Sequence, residues 1–89
     1  MKQHQVQIIN RLGLHARAAA KLVELAAGFE CECYVVKHGT KADAKSIMGV
    51  MMLAATMGTH LEFHTDGRDE EAALQALAEL IEDKCGEAE

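Results

Sequence analysis

Residues 13–17 (Gly-Leu-His-Ala-Arg) place a histidine and an arginine two residues apart, where a predicted strand is followed by a predicted helix. The first backbone N–H groups of a helix lack intrahelical partners and lie at the positive end of its dipole, so they attract anions. A neutral ring nitrogen of His15 is a nucleophile as well as a base, and the Arg17 guanidinium suits phosphoryl oxygens. The segment indicates phosphate chemistry at His15; a histidine that only caps the helix is the alternative.

The hydrophobic pattern predicts the elements that position His15. Residues 6–9 alternate as a strand does, and residues 10–13 form a loop. Residues 16–27 are rich in alanine with apolar side chains at helical spacing, and Gly28 ends this predicted helix. Alternation returns over residues 30–36, and a hairpin turn at residues 37–40 leads into a short strand over residues 40–42.

The second half of the chain continues the alternation of strands and helices. Ser46 is a predicted N-cap of a short helix over residues 47–53. A strand over residues 59–65 has Leu61 and Phe63 inward, and a last helix runs from about 69 to 84 with an acidic first turn. The order βαββαβα predicts an α+β two-layer open-faced sandwich over a single domain, residues 1–89, with residues 85–89 as a frayed tail.

Composition narrows the class of protein. The chain has 89 residues, 49% of them apolar, and no proline, which is typical of one small globular domain. No apolar run approaches the ~20 residues of a membrane span and the first residues are too polar for a signal peptide, so we expect a cytoplasmic protein without membrane insertion. Three cysteines fit a reducing compartment better than a disulfide scaffold.

Charge is distributed unevenly along the chain. Residues 1–60 hold seven Lys and Arg against four Asp and Glu, whereas residues 61–89 hold two against ten. An acidic partner surface would therefore be steered to the half that contains His15. Nucleic acid is not an expected partner, because the basic residues are dispersed and the whole chain is acidic. No metal site is expected either, because no Cys or His spacing is that of a zinc site.

Two motifs together carry a family resemblance. Residues 13–17 are followed, 28 residues further on, by residues 45–51 (Lys-Ser-Ile-Met-Gly-Val-Met). At these positions in a chain of this length, they resemble HPr, the histidine-containing phosphocarrier family of the bacterial phosphoenolpyruvate-dependent phosphotransferase system. The resemblance implies a four-stranded antiparallel sheet covered on one face by three helices. It also implies a monomer without a cofactor, a carrier rather than an enzyme.

The resemblance assigns roles to residues of both motifs. It implies that enzyme I phosphorylates Nδ1 of His15, that Arg17 and the backbone N–H of Ala16 stabilise the phosphoryl group, and that enzyme IIA domains receive it. Ser46 corresponds to a regulatory site phosphorylated by HPr kinase/phosphorylase, although its N-cap role alone would also explain a serine there. A phosphate at that helix start should inhibit by repelling an acidic face of enzyme I, with little conformational change.

An apolar surface beside His15 is expected to bind these partners. Methionine side chains are adaptable, which suits a surface that docks on several unlike proteins. The alternative is that some of these side chains pack the short helix onto the sheet, and Val50 and Leu53 are assigned to the core for that reason. The predicted partner-binding residues are Ala20, Lys45, Ile47, Met48 and Met51.

One residue departs from the pattern of the family. Ala18 stands where many relatives have proline, which leaves the acceptor and Arg17 in place but makes the preceding loop more mobile.

Three alternative classes of protein are considered. A nitrogen-related paralogue would share the chemistry of His15. A purely regulatory binding module of the same fold would lack the acceptor histidine, and a small metal or nucleic-acid module of βαβ type lacks support in the cysteine spacing and the charge.

Overall fold

The computed structural model describes residues 1–87. Within this range the chain forms one four-stranded antiparallel sheet and three α-helices in the order βαββαβα, which confirms the predicted fold class. The elements are β1 (Lys2–Gln7), α1 (Ala16–Ala27), β2 (Glu32–Lys37), β3 (Thr40–Asp43), α2 (Ile47–Met52), β4 (His60–Asp66) and α3 (Glu70–Glu82), followed by a short 3₁₀ helix at Lys84–Gly86.

The sheet has the strand order β1-β4-β2-β3, so β4 and β2 are central. Val6 of β1 lies opposite Leu61 of β4, and Phe63 of β4 lies opposite Val35 of β2. All four side chains are buried, which confirms the inward placement of Leu61 and Phe63. Alternate residues of these strands form the other, solvent-facing side of the sheet.

Helices α1 and α3 cover the apolar face of the sheet. Small and branched side chains recur at helical spacing on one face of each helix, so both helices can approach the sheet closely. Alanines on these faces are fully buried, among them Ala19 and Ala26 of α1 and Ala73 of α3. Burying a branched or aromatic side chain of this kind contributes roughly 1.5–3 kcal/mol. The largest side chains in this core are Ile8, Leu22, Val35, Val50, Leu61, Phe63, Leu77 and Ile81.

Strand β1 begins earlier than the alternation predicts. It spans Lys2–Gln7, whereas residues 6–9 were expected. The first residues are polar because β1 is an edge strand, and only Val6 among its side chains is buried. Ile8 continues the extended chain beyond the strand, with its N–H donating to the Thr59 carbonyl at 2.9 Å.

Strand β2 begins two residues later than predicted, at Glu32. The N–H groups of Glu30 and Cys31 do not enter the ladder, because each donates to the Asp69 carboxylate at 2.9 Å. Both hydrogen bonds lower the pKa of Asp69, and the bond from the Glu30 N–H has the larger effect. Asp69 precedes α3 without capping it, so one carboxylate ties the end of the α1–β2 connection to the start of α3.

The turn between β2 and β3 has the predicted hairpin form. His38 and Gly39 are its two central residues, and both have positive φ, 48° and 81°. Two such residues match the right-handed twist of the flanking strands, as in a type I′ turn.

None of the helices formed by residues 1–87 has the length and apolar character that a membrane span requires.

Replacing Asp69 with asparagine should lower the melting temperature at neutral pH by several degrees. Because the pKa of the folded carboxyl group is lowered, its stabilisation is complete above the unfolded pKa of about 3.9 and disappears as the pH falls through the folded pKa. Thermal unfolding followed by circular dichroism should show a difference from wild type that shrinks below about pH 4. Glu82→Gln removes the same charge from an exposed side chain and should have little effect. Equal melting temperatures of D69N and wild type at neutral pH would contradict this role.

Candidate functional site

The loop before α1 is held against the segment after α2. Gly13 has a φ of +66°, and a Cβ atom built on it would lie 2.5 Å from the Ala55 carbonyl oxygen. Only glycine fits both the conformation and the space. The N–H of the next residue, Leu14, donates to the same carbonyl at 2.9 Å, and the Leu14 side chain is buried. These contacts determine where α1 begins.

His15 is the N-cap of α1. Its backbone is extended, with φ −72° and ψ 176°, and its carbonyl accepts from the Ala19 N–H at 2.8 Å. Its Nδ1 atom accepts from the backbone N–H of Arg17 at 3.3 Å, so Nδ1 lies at the open, positive end of the helix with its lone pair toward an N–H group. The side chain is 27% exposed, which leaves the ring accessible to a partner.

The side chains around the helix start are small or exposed. Ala16 and Arg17, the two residues that follow His15, are both exposed to solvent. Ala18 is fully buried at the third helical position, where the N–H group is without an intrahelical acceptor. A proline at this position would therefore remove no hydrogen bond of α1.

The second ring nitrogen of His15 contacts a residue from the far end of the chain. Nε2 forms a hydrogen bond with the Glu87 carboxylate, whose other oxygen accepts from the Asn10 side-chain amide at 2.8 Å. The Asn10 bond, with a smaller contribution from His15, lowers the pKa of Glu87. Asn10 and Glu87 could not be identified from the sequence as neighbours of His15. Their contacts with each other and with His15 form only in the folded chain, and no local sequence pattern predicts these contacts.

Residues 85–87 are ordered against α1, unlike the frayed tail expected from their composition. Cys85 is fully buried, and its carbonyl accepts from the Lys21 ammonium at 2.8 Å. Burial also raises the pKa of the Cys85 thiol, which lies in the hydrophobic core. Residues 88 and 89 of the expected tail lie outside the described residues.

Ser46 caps α2 as the sequence predicts. Its hydroxyl oxygen accepts from the Gly49 N–H at 3.1 Å, and its backbone is extended, with φ −120° and ψ 114°. Ser46 as a whole is half-buried, so part of the residue is exposed to solvent. Helix α2 therefore begins at Ile47, directly after its N-cap Ser46, and ends at Met52, before the segment that contacts Gly13.

The exposed face of α2 is apolar. Ile47, Met48 and Met51 are 45%, 71% and 40% exposed, whereas Val50 and Leu53 are buried, as expected from the sequence. Ala20 is half-buried on α1, which packs beside α2. Large apolar side chains outside the predicted docking surface, among them Leu12, Met52 and Met57, are exposed as well.

Lys45 is not brought together with His15. Its ammonium group donates to the carbonyl of Phe29 at 2.8 Å, beyond the C-terminal end of α1. A helix of 12 residues is about 18 Å long, so this contact lies a helix length away from His15.

No group of three or more His, Cys, Asp or Glu side chains within residues 1–87 has the arrangement needed to hold a metal ion.

The chain is similar to known proteins along its whole length. A family model described as the PTS HPr component phosphorylation site matches residues 2–83. The phosphocarrier protein HPr of Cupriavidus necator is 52% identical over 89 residues, all of both chains. The phosphocarrier protein NPr of Shewanella violacea is 44% identical and covers 97% of this chain and 94% of its own. The crystal structure of HPr-C-His from Thermoanaerobacter tengcongensis superposes with a TM-score of 0.96 at 44% identity, covering all of both chains.

Replacing Gly13 with alanine should destabilise the fold by roughly 3 kcal/mol, because the Cβ atom meets the backbone of Ala55 and Thr56 in addition to the cost of a positive φ. Gly39 is the matched control, since it also has a positive φ but no atom within 4 Å of the place that a Cβ atom would take. Gly39→Ala should cost only about 1 kcal/mol. Urea unfolding of both variants measures the difference, and equal losses would show that the Gly13 contact does not constrain the loop.

Proposed function

The chain belongs to the HPr family of phosphocarrier proteins of the phosphotransferase system, and from this premise we propose that His15 accepts a phosphoryl group from enzyme I and passes it to enzyme IIA domains in the cytoplasm. The observation that carries the proposal is the position of His15 Nδ1, which accepts from the Arg17 N–H at the open end of α1. A nucleophilic nitrogen in that position has an anion site beside it.

Transfer would begin with attack of the Nδ1 lone pair on the phosphorus atom. The bond from phosphorus to the donor breaks, and its electron pair stays with the donor. Because Nδ1 is then occupied, the Arg17 N–H loses its acceptor and can donate to a phosphoryl oxygen instead. The Ala16 N–H and the Arg17 guanidinium would supply further donors to the same dianion.

A carrier must release the phosphoryl group as readily as it accepts it. The partial exposure of His15 and the solvent-exposed Arg17 side chain support such a role, because exposed charge pairs stabilise a bound anion only modestly. The protein would be phosphorylated and dephosphorylated once per cycle by its partners. In this proposal it is a covalent intermediate of the chain of transfers and not an enzyme.

The exposed apolar face of α2 is the proposed docking surface for enzyme I and enzyme IIA domains. Ile47, Met48 and Met51 present flexible side chains next to α1, and Ala20 borders them. Apolar side chains without strict geometry tolerate partners of different shape. Lys45 would contribute its charge to this surface from a position just before the N-cap of α2, with its ammonium bonded to the Phe29 carbonyl.

Ser46 is proposed as a regulatory site for HPr kinase/phosphorylase. Ser46 is half-buried and its hydroxyl lies at the start of α2, where added negative charge is compatible with the helix. A phosphate there would add about −2 charge to the docking surface and repel an acidic partner. Inhibition would then be electrostatic, with α2 remaining folded.

The nitrogen-related branch of the family is the alternative assignment. The 44% identity to an NPr supports it less than the 52% identity to an HPr. Transfer from the phosphorylated protein to a sugar-specific or a nitrogen-related enzyme IIA would discriminate between the two. A regulatory binding module of the same fold would accept no phosphoryl group at all.

Incubation with phosphoenolpyruvate and enzyme I should add one acid-labile phosphate, which intact-mass analysis detects before and after acid treatment. His15→Ala should abolish the modification, because it removes the acceptor nitrogen. His60→Ala, which removes an exposed imidazole from β4, should leave it intact. A modification that persists in H15A, or its absence from wild type with competent enzyme I, would overturn the proposal.

Ser46→Asp should slow phosphoryl transfer from enzyme I about tenfold at low ionic strength, and the rate should return toward the wild-type value as salt screens the charge. Rates are measured by quenched transfer of labelled phosphate over a series of salt concentrations. Thr40→Asp places the same charge on the edge strand β3 and is the control. A normal rate of S46D at low salt would exclude electrostatic inhibition at this site.

A further inference from the structure

The chain after α3 turns back sharply toward the start of α1. Lys84, Cys85 and Gly86 have successive positive φ angles of 55°, 55° and 79°. Such angles are unfavourable for Lys and Cys, so surrounding contacts must hold the segment. Cys85 is fully buried, and its carbonyl accepts from the Lys21 ammonium at 2.8 Å. The turn brings the next residue, Glu87, to His15.

The Glu87 carboxylate is held on both of its oxygens. Oε1 accepts from the Asn10 amide at 2.8 Å, and Oε2 contacts Nε2 of His15. Asn10 is only 1% exposed, and the same amide nitrogen donates to the Gly13 carbonyl at 2.8 Å. Reversing this amide would set its oxygen against two acceptors, so Asn10 must present its NH2 group to Glu87. Glu87 is thus attached to the loop that positions His15.

These partners select one tautomer of His15. The pKa of Glu87 is lowered, so at neutral pH the carboxylate can only accept, and Nε2 must carry the ring hydrogen. On the other side of the ring, Nδ1 accepts from the Arg17 N–H and therefore carries a lone pair. Both contacts require the same tautomer.

We infer that Glu87 is a positioning residue for phosphoryl transfer, because it holds the His15 tautomer in which Nδ1 is the nucleophile. The inference rests on the proposed function, in which His15 is the acceptor. When Nδ1 forms its bond to phosphorus and the donor leaves with its electron pair, positive charge develops on the ring. The Nε2 proton stays between the ring and Glu87, whose negative charge offsets that development.

The contact does not place Glu87 where the phosphoryl group binds. The carboxylate contacts Nε2, whereas the acceptor Nδ1 faces the helix start on the opposite side of the ring. A carboxylate that competed with the phosphoryl group would instead occupy the N–H groups of Ala16 and Arg17. The geometry is that of a group supporting the nucleophile from behind.

Glu87→Gln tests this role sharply, because Asn10 presents a donor. The oxygen of the new side-chain amide would face Asn10, and its NH2 group would face His15 Nε2, which favours the opposite tautomer. The tautomer is measured in the free protein from the nitrogen chemical shifts of the His15 imidazole, with ¹⁵N labelling. Phosphoryl acceptance from enzyme I is measured on the same samples. Glu82→Gln removes the same charge from an exposed position of α3 and is the matched control.

E87Q should lose the dominance of the Nε2–H tautomer and accept phosphate at least about tenfold more slowly, while E82Q matches wild type in both measurements. An unchanged tautomer, or a shifted tautomer with an unchanged rate, would overturn the inference. Faster acceptance by E87Q would also overturn it, by showing that the carboxylate obstructs the acceptor. If the wild-type protein itself accepts no phosphate, the proposed function is wrong, and so is the role of Glu87 in phosphoryl transfer. The nitrogen chemical shifts then still decide whether Glu87 sets the tautomer of His15.

Discussion

The close approach of Gly13 to the Ala55 carbonyl is the constraint on which the site depends. A side chain at position 13 would push the loop away from the segment after α2, and the Leu14 N–H would lose the same carbonyl. With the loop in place, His15 begins α1 and its Nδ1 meets the Arg17 N–H. The fit of two backbone segments thus determines the direction of the imidazole, and it ties α2 and its exposed apolar face to the same point.

The imidazole of His15 is held rigidly by hydrogen bonds, whereas an anion bound to it would be held only weakly. The ring is fixed by hydrogen bonds on both nitrogens, and the loop beneath it is fixed by the buried Asn10 amide. The groups that would contact a transferred anion are different, because Arg17 and Ala16 are exposed to solvent. This division suits a protein of the phosphocarrier family, since a rigid nucleophile favours the reaction in both directions while a solvated anion is not trapped.

Local patterns predicted the parts of the structure that depend on local interactions. The bounds of α1, the hairpin turn at His38 and Gly39, and the N-cap at Ser46 follow from spacing, backbone freedom and side-chain type. The start of β2 does not, because the Asp69 carboxylate, 38 residues away from Cys31, takes the N–H groups that a longer strand would use. The same limit applies to the site itself.

His15 and Arg17 are close in sequence and could be identified there. Asn10 and Glu87 join them only through the turn after α3. The acidic composition of residues 85–89 predicts a frayed end, but the burial of Cys85 holds this turn against the rest of the protein.

The pairing of His15 with Glu87 spans 72 residues of sequence. Contacts between such distant residues form after local helices and hairpins, because closing a long loop costs entropy that few early contacts offset. His15 and its helix can therefore exist in a partly folded chain before the carboxylate arrives. His15 acquires its full set of hydrogen-bond partners only when the last helix has docked, which makes the imidazole environment a reporter of completed folding.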